Sequence, residues 1–240
     1  MTDFIAATTA TFARCDMGAL LDGEKTEKLH ALFCRLVCEN EKYNLTAVTD
    51  RDGVILKHFA DSAAAARYLP TGASLLDVGC GAGFPSLPLA ILRPDLRITA
   101  LDATAKRVAY VAETASLLGL SNVQTVTARA EEYAKPPVRE SFDCVTARAV
   151  SNLRVLAELC LPFVRVGGLF LSMKAKSAAE ELSDATHAIG QLGGRVERTE
   201  RFSLTDGKET LDRTAILIRK TKPTEPAYPR AYARILKKPL

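Results

Sequence analysis

Two carboxylates and a run of glycines are the residues whose types and spacing suggest chemistry. Asp77 stands two residues ahead of Gly79, the chain continues Gly79-Cys80-Gly81-Ala82-Gly83-Phe84-Pro85, and Asp102 follows Asp77 by 25 residues. Glycines so spaced let the backbone take positive φ and come close to a ligand. An aspartate closing the next strand can accept hydrogen bonds from both hydroxyls of a ribose. The dinucleotide fingerprint is G-x-G-x-x-G, because a helix N-terminus must hold a pyrophosphate. Here the spacing is G-x-G-x-G with an acid before it. That suits a ligand with a cationic amino group and no phosphate, which disfavours a nicotinamide dehydrogenase and favours S-adenosylmethionine (SAM).

These residues act together only if strands and helices bring them to one place. Short apolar runs at 75–78, 98–101, 123–126, 142–146 and 169–173 alternate with helical stretches near 85–93, 104–119, 151–162 and 177–191. The alternation predicts an α/β fold with a mostly parallel sheet and helices on both faces. Runs at 195–204 and 214–219 follow with only Asp206-Gly207 between them as a turn. They add an antiparallel pair at one edge and make seven strands. Pro85 falls where the first helical position is expected. Upstream, Leu29, Leu32, Phe33, Leu36 and Val37 recur at helical spacing toward Asn44. A second helical run, Ile55 to Leu69, is stopped by Pro70 and Gly72. The expected organisation is a helical extension over 1–72, a ligand-binding core over 73–222 and a basic tail over 223–240 packed on or near that core.

Composition narrows the class. A hydrophobic content of 48% with 25% charged residues supports a buried core and excludes disordered or collagen-like chains. No run reaches the roughly 18 apolar residues of a membrane span. The first basic residue is Arg14, so the start lacks the charged region of a signal peptide, and a cytoplasmic protein is expected. Six scattered cysteines (15, 34, 38, 80, 144 and 160) form no Cys-x-x-Cys pair and are expected to be buried free thiols. His30, His58 and His187 are dispersed, so no metal site is expected. From Arg219 onward there are seven basic residues and one acid. Such an end is either a footprint for a polyanion or a solvated tail.

The sequence resembles the class I SAM-dependent methyltransferases, and within them the bacterial glucose-inhibited division protein B family, from about Asn40 onward. The resemblance rests on Asn44-Leu45-Thr46, His58-x-x-Asp61-Ser62, the GCGAGFPSLPLAI stretch at 79–91 and Leu101-Asp102 with Lys106-Arg107. It continues through Arg129-Ala130-Glu131, Ala147-Arg148-Ala149-Val150, Met173-Lys174 and the ending from Tyr228-Pro229-Arg230 to Pro239-Leu240. Ser86 stands where the family usually has Gly; Ala233 and Ile235 stand where it has Gly and Pro. The resemblance implies a Rossmann-like monomer that methylates guanine N7 in the 530 loop of 16S rRNA, free or within a 30S particle or precursor. SAM would be the donor and S-adenosylhomocysteine the product. It implies cofactor contacts at Asp77, Gly79, Gly81, Gly83, Phe84, Asp102, Ala130, Glu131 and Arg148.

The residues themselves leave roles open. Arg148 can touch the cofactor, orient a phosphate or guanine edge, or serve a structural ion pair. Glu131 can give adenine a polar edge or simply favour a helix start. Asn44, Lys174 and Arg213 are candidates for positioning substrate; against that stand a helix C-cap, a surface lysine pointing toward the ligand side and a solvated edge-strand charge. His58 and Asp61 are spaced for a side-chain pair that packs and orients. Guanine N7 has a lone pair and no proton, so no general base is expected. An exocyclic amine methylase would carry Asn/Asp-Pro-Pro-aromatic after the fourth strand, where this chain has Thr146-Ala147-Arg148-Ala149; a cytosine-C5 enzyme would need a Pro-Cys turn. The rival readings are a methyltransferase of a small molecule or another RNA, and a non-catalytic RNA-binding module.

Overall fold

The computed structural model describes residues 1–148, 151–175 and 178–240, with no side-chain description at 178 and 179. Ala149, Val150 and Ser177 therefore lie outside the described residues. The apolar runs form seven strands: β1 (Ser74–Val78), β2 (Arg97–Asp102), β3 (Val123–Thr127), β4 (Phe142–Arg148), β5 (Val164–Lys174), β6 (Gly194–Thr205) and β7 (Thr210–Lys220). They lie in one sheet in the order β3-β2-β1-β4-β5-β7-β6. The first five strands run parallel, and β7 lies antiparallel between β5 and β6. The β6–β7 hairpin turns where expected: Gly207 takes a φ of 96°, and Asp206 Oδ1 accepts the amides of Lys208 and Glu209 at 2.8 and 2.7 Å. Strand order reverses at β1, flanked by β2 and β4, so a crevice opens at their carboxyl ends.

The N-terminal helices are α1 (Thr2–Arg14) and α2 (Gly23–Tyr43). Asp22 caps α2 through Lys25 N at 2.8 Å, and Asn44 ends it in the left-handed conformation, φ 47° and ψ 54°. Residues 51–68 form a composite helix: α3 (Arg51–Val54), a π-turn (Ile55–Ala60), α4 (Asp61–Ala63) and a 3-10 turn (Ala64–Tyr68). Such π-turns widen a helix locally and often sit at functional sites; this one carries His58. The sheet helices are α5 (Ser86–Leu92), α6 (Ala105–Leu117), α7 (Ala130–Tyr133), α8 (Leu153–Cys160) and α9 (Ala178–Gln191), and the chain ends on α10 (Tyr232–Lys237). Leu29, Leu32, Leu36 and Phe59 share a core with Leu75 and Ile98 on one face. Leu156, Phe163 and Ile235 pack with Leu76, Val145 and Phe170 on the other.

Three expectations change. Pro85 is the N-cap of α5, one residue before the first helical position, because the amides of Gly83 and Phe84 turn back to the Cys80 carbonyl. Cys34 and Cys38 are exposed, since they lie off the Leu29, Leu32 and Leu36 stripe that α2 buries; the other four cysteines are buried. The basic end is not a free tail. Ile235 is fully buried, Arg154 donates to the carbonyls of Pro239 and Leu240, and Arg139 donates to those of Thr224, Glu225 and Tyr228.

Candidate cofactor cleft

A cavity of about 540 Å³ opens at the carboxyl ends of β1, β2 and β4, a size usual for small-molecule sites. Its floor is the glycine loop. Gly79 and Cys80 both donate to the Leu101 carbonyl, at 2.8 and 3.0 Å, which ties the loop to β2. Gly83 takes a φ of 84°, and a side chain there would meet Leu87 Cδ1 at 2.5 Å, so this glycine lets α5 approach the loop. Gly83 supports the loop from behind, whereas Gly79, Gly81 and Phe84 line the cleft.

Asp102 joins the two strand ends. Its Oδ2 accepts Gly81 N at 3.0 Å, and its Oδ1 accepts Thr104 N at 2.8 Å. The residue is 7% exposed and lines the cleft. A carboxylate has about four acceptor sites, so each oxygen keeps one for a ligand hydroxyl. Beyond β3, Ala130 and Glu131 open α7 and line the same cavity. Glu131 lies 3.8 Å from Arg129.

Asp77 is placed differently from the expectation that it faces a ligand amine. It is fully buried and does not line the cleft; Oδ2 accepts the Ser86 hydroxyl at 2.5 Å, and Oδ1 has no partner. The strand pleat explains this: alternate residues share a face, so Asp77 points with Leu75 toward the side covered by α5. Burial raises its pKa to about 6.

Arg148 lines the cleft with its guanidinium 5.5 Å from the centre of the Phe84 ring. It also donates to Asp61 Oδ2 at 3.1 Å and to the Lys57 carbonyl at 3.2 Å. Arg148 is thus both an ion-pair partner and a cleft wall. Arg213 donates to the other Asp61 oxygen at 2.7 Å, so it is held in this pair and does not line the cleft. Asp61 therefore pairs with two arginines, not with His58. Lys174 is likewise committed, to Glu181 and to the Ser151 carbonyl, each at 2.8 Å, and lies outside the cleft lining. Asn44 is the exposed C-cap of α2; its neighbours Leu45 and Thr46 line the cavity instead.

The structure adds residues that sequence reasoning did not assign to the cleft: Thr46, His58, Arg107, Leu159 and Tyr232. Thr46, His58 and Arg107 stood inside quoted motifs; Tyr232 had been read as a base-stacking residue. His58 stacks on Phe84, with ring centres 4.5 Å apart and planes at 11°, and its Nε2 meets the Thr46 hydroxyl at 2.8 Å. Burial, then the Arg148 charge, lowers its pKa to about 4. The unfolded chain consequently binds a proton more readily between about pH 4 and 6.5. His58 thus contributes stability that is complete above pH 6.5 and lost as pH falls toward 4. The raised pKa of Asp77 acts in the opposite sense: its contribution is present at low pH and lost as pH rises through about 6. His58→Phe is expected to lessen the loss of stability between pH 7 and 5 in denaturant titrations. A variant that tracks the parent at every pH would contradict the neutral, buried imidazole.

A sequence profile of the family described as rRNA small subunit methyltransferase G matches residues 25–209. The chain belongs to this family. The chain is 46% identical over 228 residues to the ribosomal RNA small subunit methyltransferase G of Geobacillus thermodenitrificans, covering 94% of this chain and 95% of that one. It is 44% identical over 227 residues to the protein of the same name from Staphylococcus epidermidis, covering 94% of each. Among solved structures it resembles a SAM-dependent methyltransferase from Aquifex aeolicus, with TM-score 0.52 and 19% identity over 70% of this chain and 93% of that one. It also resembles M. jannaschii TYW2 in complex with AdoMet, with TM-score 0.51 and 14% identity over 62% of this chain and 69% of that one. These two likenesses concern the fold, and they agree with the Rossmann-like reading. As a family member, the chain is a SAM-dependent methyltransferase of small-subunit rRNA. Among the described residues no helix is long and apolar enough to cross a membrane, and no cluster of His, Cys, Asp and Glu is built to hold a metal.

Proposed function

We propose that this methyltransferase modifies N7 of a guanine in the 530 loop of 16S rRNA and releases S-adenosylhomocysteine. The observation that carries the cofactor side of this reading is Asp102, buried at the strand end with both oxygens still able to accept ribose hydroxyls. The cleft fits the rest of SAM: the Ala130-Glu131 backbone and carboxylate border one end, and Phe84 with Arg148 borders the other elements of the wall. Bound SAM supplies an electrophilic methyl group on its sulfonium. The chain's own task is then to orient the base and exclude water. The acids and bases facing the cleft are already committed: His58 is neutral and meets Thr46, Asp102 holds two amides, and Glu131 lies beside Arg129. That supports a target atom such as N7, which has no proton to lose. Single-turnover rates with saturating RNA should stay nearly flat between about pH 7 and 9, above the titration of His58 and Asp77. A steep rise that one acid or base mutation abolishes would mean that another atom is methylated.

RNA would approach across exposed cations. Arg107 and Arg129 stand at the cleft, and Arg234, Lys237 and Lys238 are exposed along α10 and beyond it. Each phosphate neutralised adds about 0.7 to 0.9 to the slope of log affinity against log salt. Changing Arg234, Lys237 and Lys238 together to Ala should flatten that slope by at most roughly 2 to 3 units. Binding titrations at several salt concentrations read this directly, and an unchanged slope removes the end of the chain from the RNA footprint. Parallel methylation assays on free 16S rRNA, a precursor particle and the 30S subunit identify the form that is modified.

A further inference from the structure

The last turn of the chain reaches the cofactor cleft, although it lies beyond the residues that the family profile matches. Tyr232, the first residue of α10, lines the cavity, and the Arg129 guanidinium stands 5.8 Å from its ring centre. Arg129 in turn precedes Ala130 and Glu131 on the same wall. What brings α10 there is a buried ion pair. Glu158 on α8 is fully buried, and both its oxygens are taken by one residue. Oε1 accepts Arg230 N at 2.9 Å and Arg230 Nε at 2.7 Å, and Oε2 accepts the terminal guanidinium nitrogen at 2.5 Å. Leu159, next to Glu158, lines the cleft as well. Behind Tyr232, Ile235 is fully buried in the core on this face of the sheet. Backbone and guanidinium are thus clamped together two residues before the tyrosine, which leaves its ring little freedom.

We infer that Tyr232 is a cofactor-binding residue, and that Glu158 and Arg230 are positioning residues that latch the C-terminal segment over the SAM site. The basic end therefore has two parts. Arg230 and Tyr232 face inward and build the cleft, while Arg234, Lys237 and Lys238 stay exposed. The ring of Tyr232 contributes an apolar, polarisable surface to a ligand that carries a purine.

This inference rests on the reading of the cleft as the SAM site, and the test separates the two. Calorimetric titration of SAM and of S-adenosylhomocysteine is run, without RNA, on the parent chain and on Asp102→Ala, Tyr232→Ala, Tyr232→Phe and Arg230→Met. Tyr232→Ala should weaken both ligands by about five- to tenfold, and Tyr232→Phe should restore most of the loss. Because Tyr232 is only partly buried, its melting temperature should stay near that of the parent. Arg230→Met should weaken binding together with stability, and adding Tyr232→Ala to it should cost less than Tyr232→Ala costs alone. Parent-like ligand affinity in a folded Tyr232→Ala chain, with Asp102→Ala weakened, overturns the latch and leaves the cleft assignment standing. Absence of SAM binding by the parent chain overturns the cleft assignment and the latch with it.

Discussion

Asp102→Ala is expected to raise the dissociation constant for SAM at least tenfold and to loosen the glycine loop at the same time. Hydrogen bonds to a charged group contribute about 1.5 to 3 kcal/mol each, and every 1.4 kcal/mol is tenfold in affinity. The carboxylate also accepts the amides of Gly81 and Thr104, so its loss frees the two segments that frame the cleft. Both amides lie near water, which can replace part of the lost bonding, so the stability cost should be modest, roughly 1 to 2 kcal/mol. Calorimetry checks the first effect and denaturant titration the second. A folded variant that binds SAM as tightly as the parent would remove Asp102 from the site.

The second large effect is expected at Asp61. Its carboxylate is 6% exposed and lies between two guanidiniums from β4 and β7, at 3.1 and 2.7 Å. Asp61→Ala leaves Arg148 and Arg213 facing each other in a poorly solvated place without a counterion. Breaking a buried ion pair by removing one partner typically costs about 3 to 5 kcal/mol. The variant should therefore lose several kilocalories per mole in urea denaturation. It should also bind SAM more weakly, because Arg148 loses the anchor that holds it over Phe84. Arg213→Ala should be milder in both respects, since Arg148 still neutralises Asp61. Equal effects of the two substitutions would show that Arg213, not Asp61, is the centre of the network.

Most of the sheet is legible in the sequence because parallel strands buried on both faces read as continuous apolar runs. The glycine loop and Asp102 are legible for a different reason: their spacing along β1 and β2 already states where the strand ends must lie. What is hidden depends on contacts between distant segments. Asp61 meets Arg213 across 152 residues, and Glu158 meets Arg230 across 72. Nothing local in Arg213 or Lys174 distinguishes a cation waiting for phosphate from one already paired with a carboxylate. Asp77 shows a second kind of blindness. An acid before a glycine loop reads as facing a ligand, but the pleat turns it beneath the loop toward Ser86. Tyr232 shows a third, because a tyrosine among basic residues looks like a stacking platform for RNA until the clamp at Arg230 sets its direction.

The central claim is methylation at guanine N7, and one chemical reaction reports that atom. Small-subunit rRNA, incubated with the protein and SAM, is reduced with borohydride and cleaved with aniline, which breaks the strand at N7-methylguanine. The account predicts scission at a single guanine in the 530 loop, in proportion to the S-adenosylhomocysteine released. Release of S-adenosylhomocysteine with intact strands, and the methyl group recovered on another atom, would contradict it.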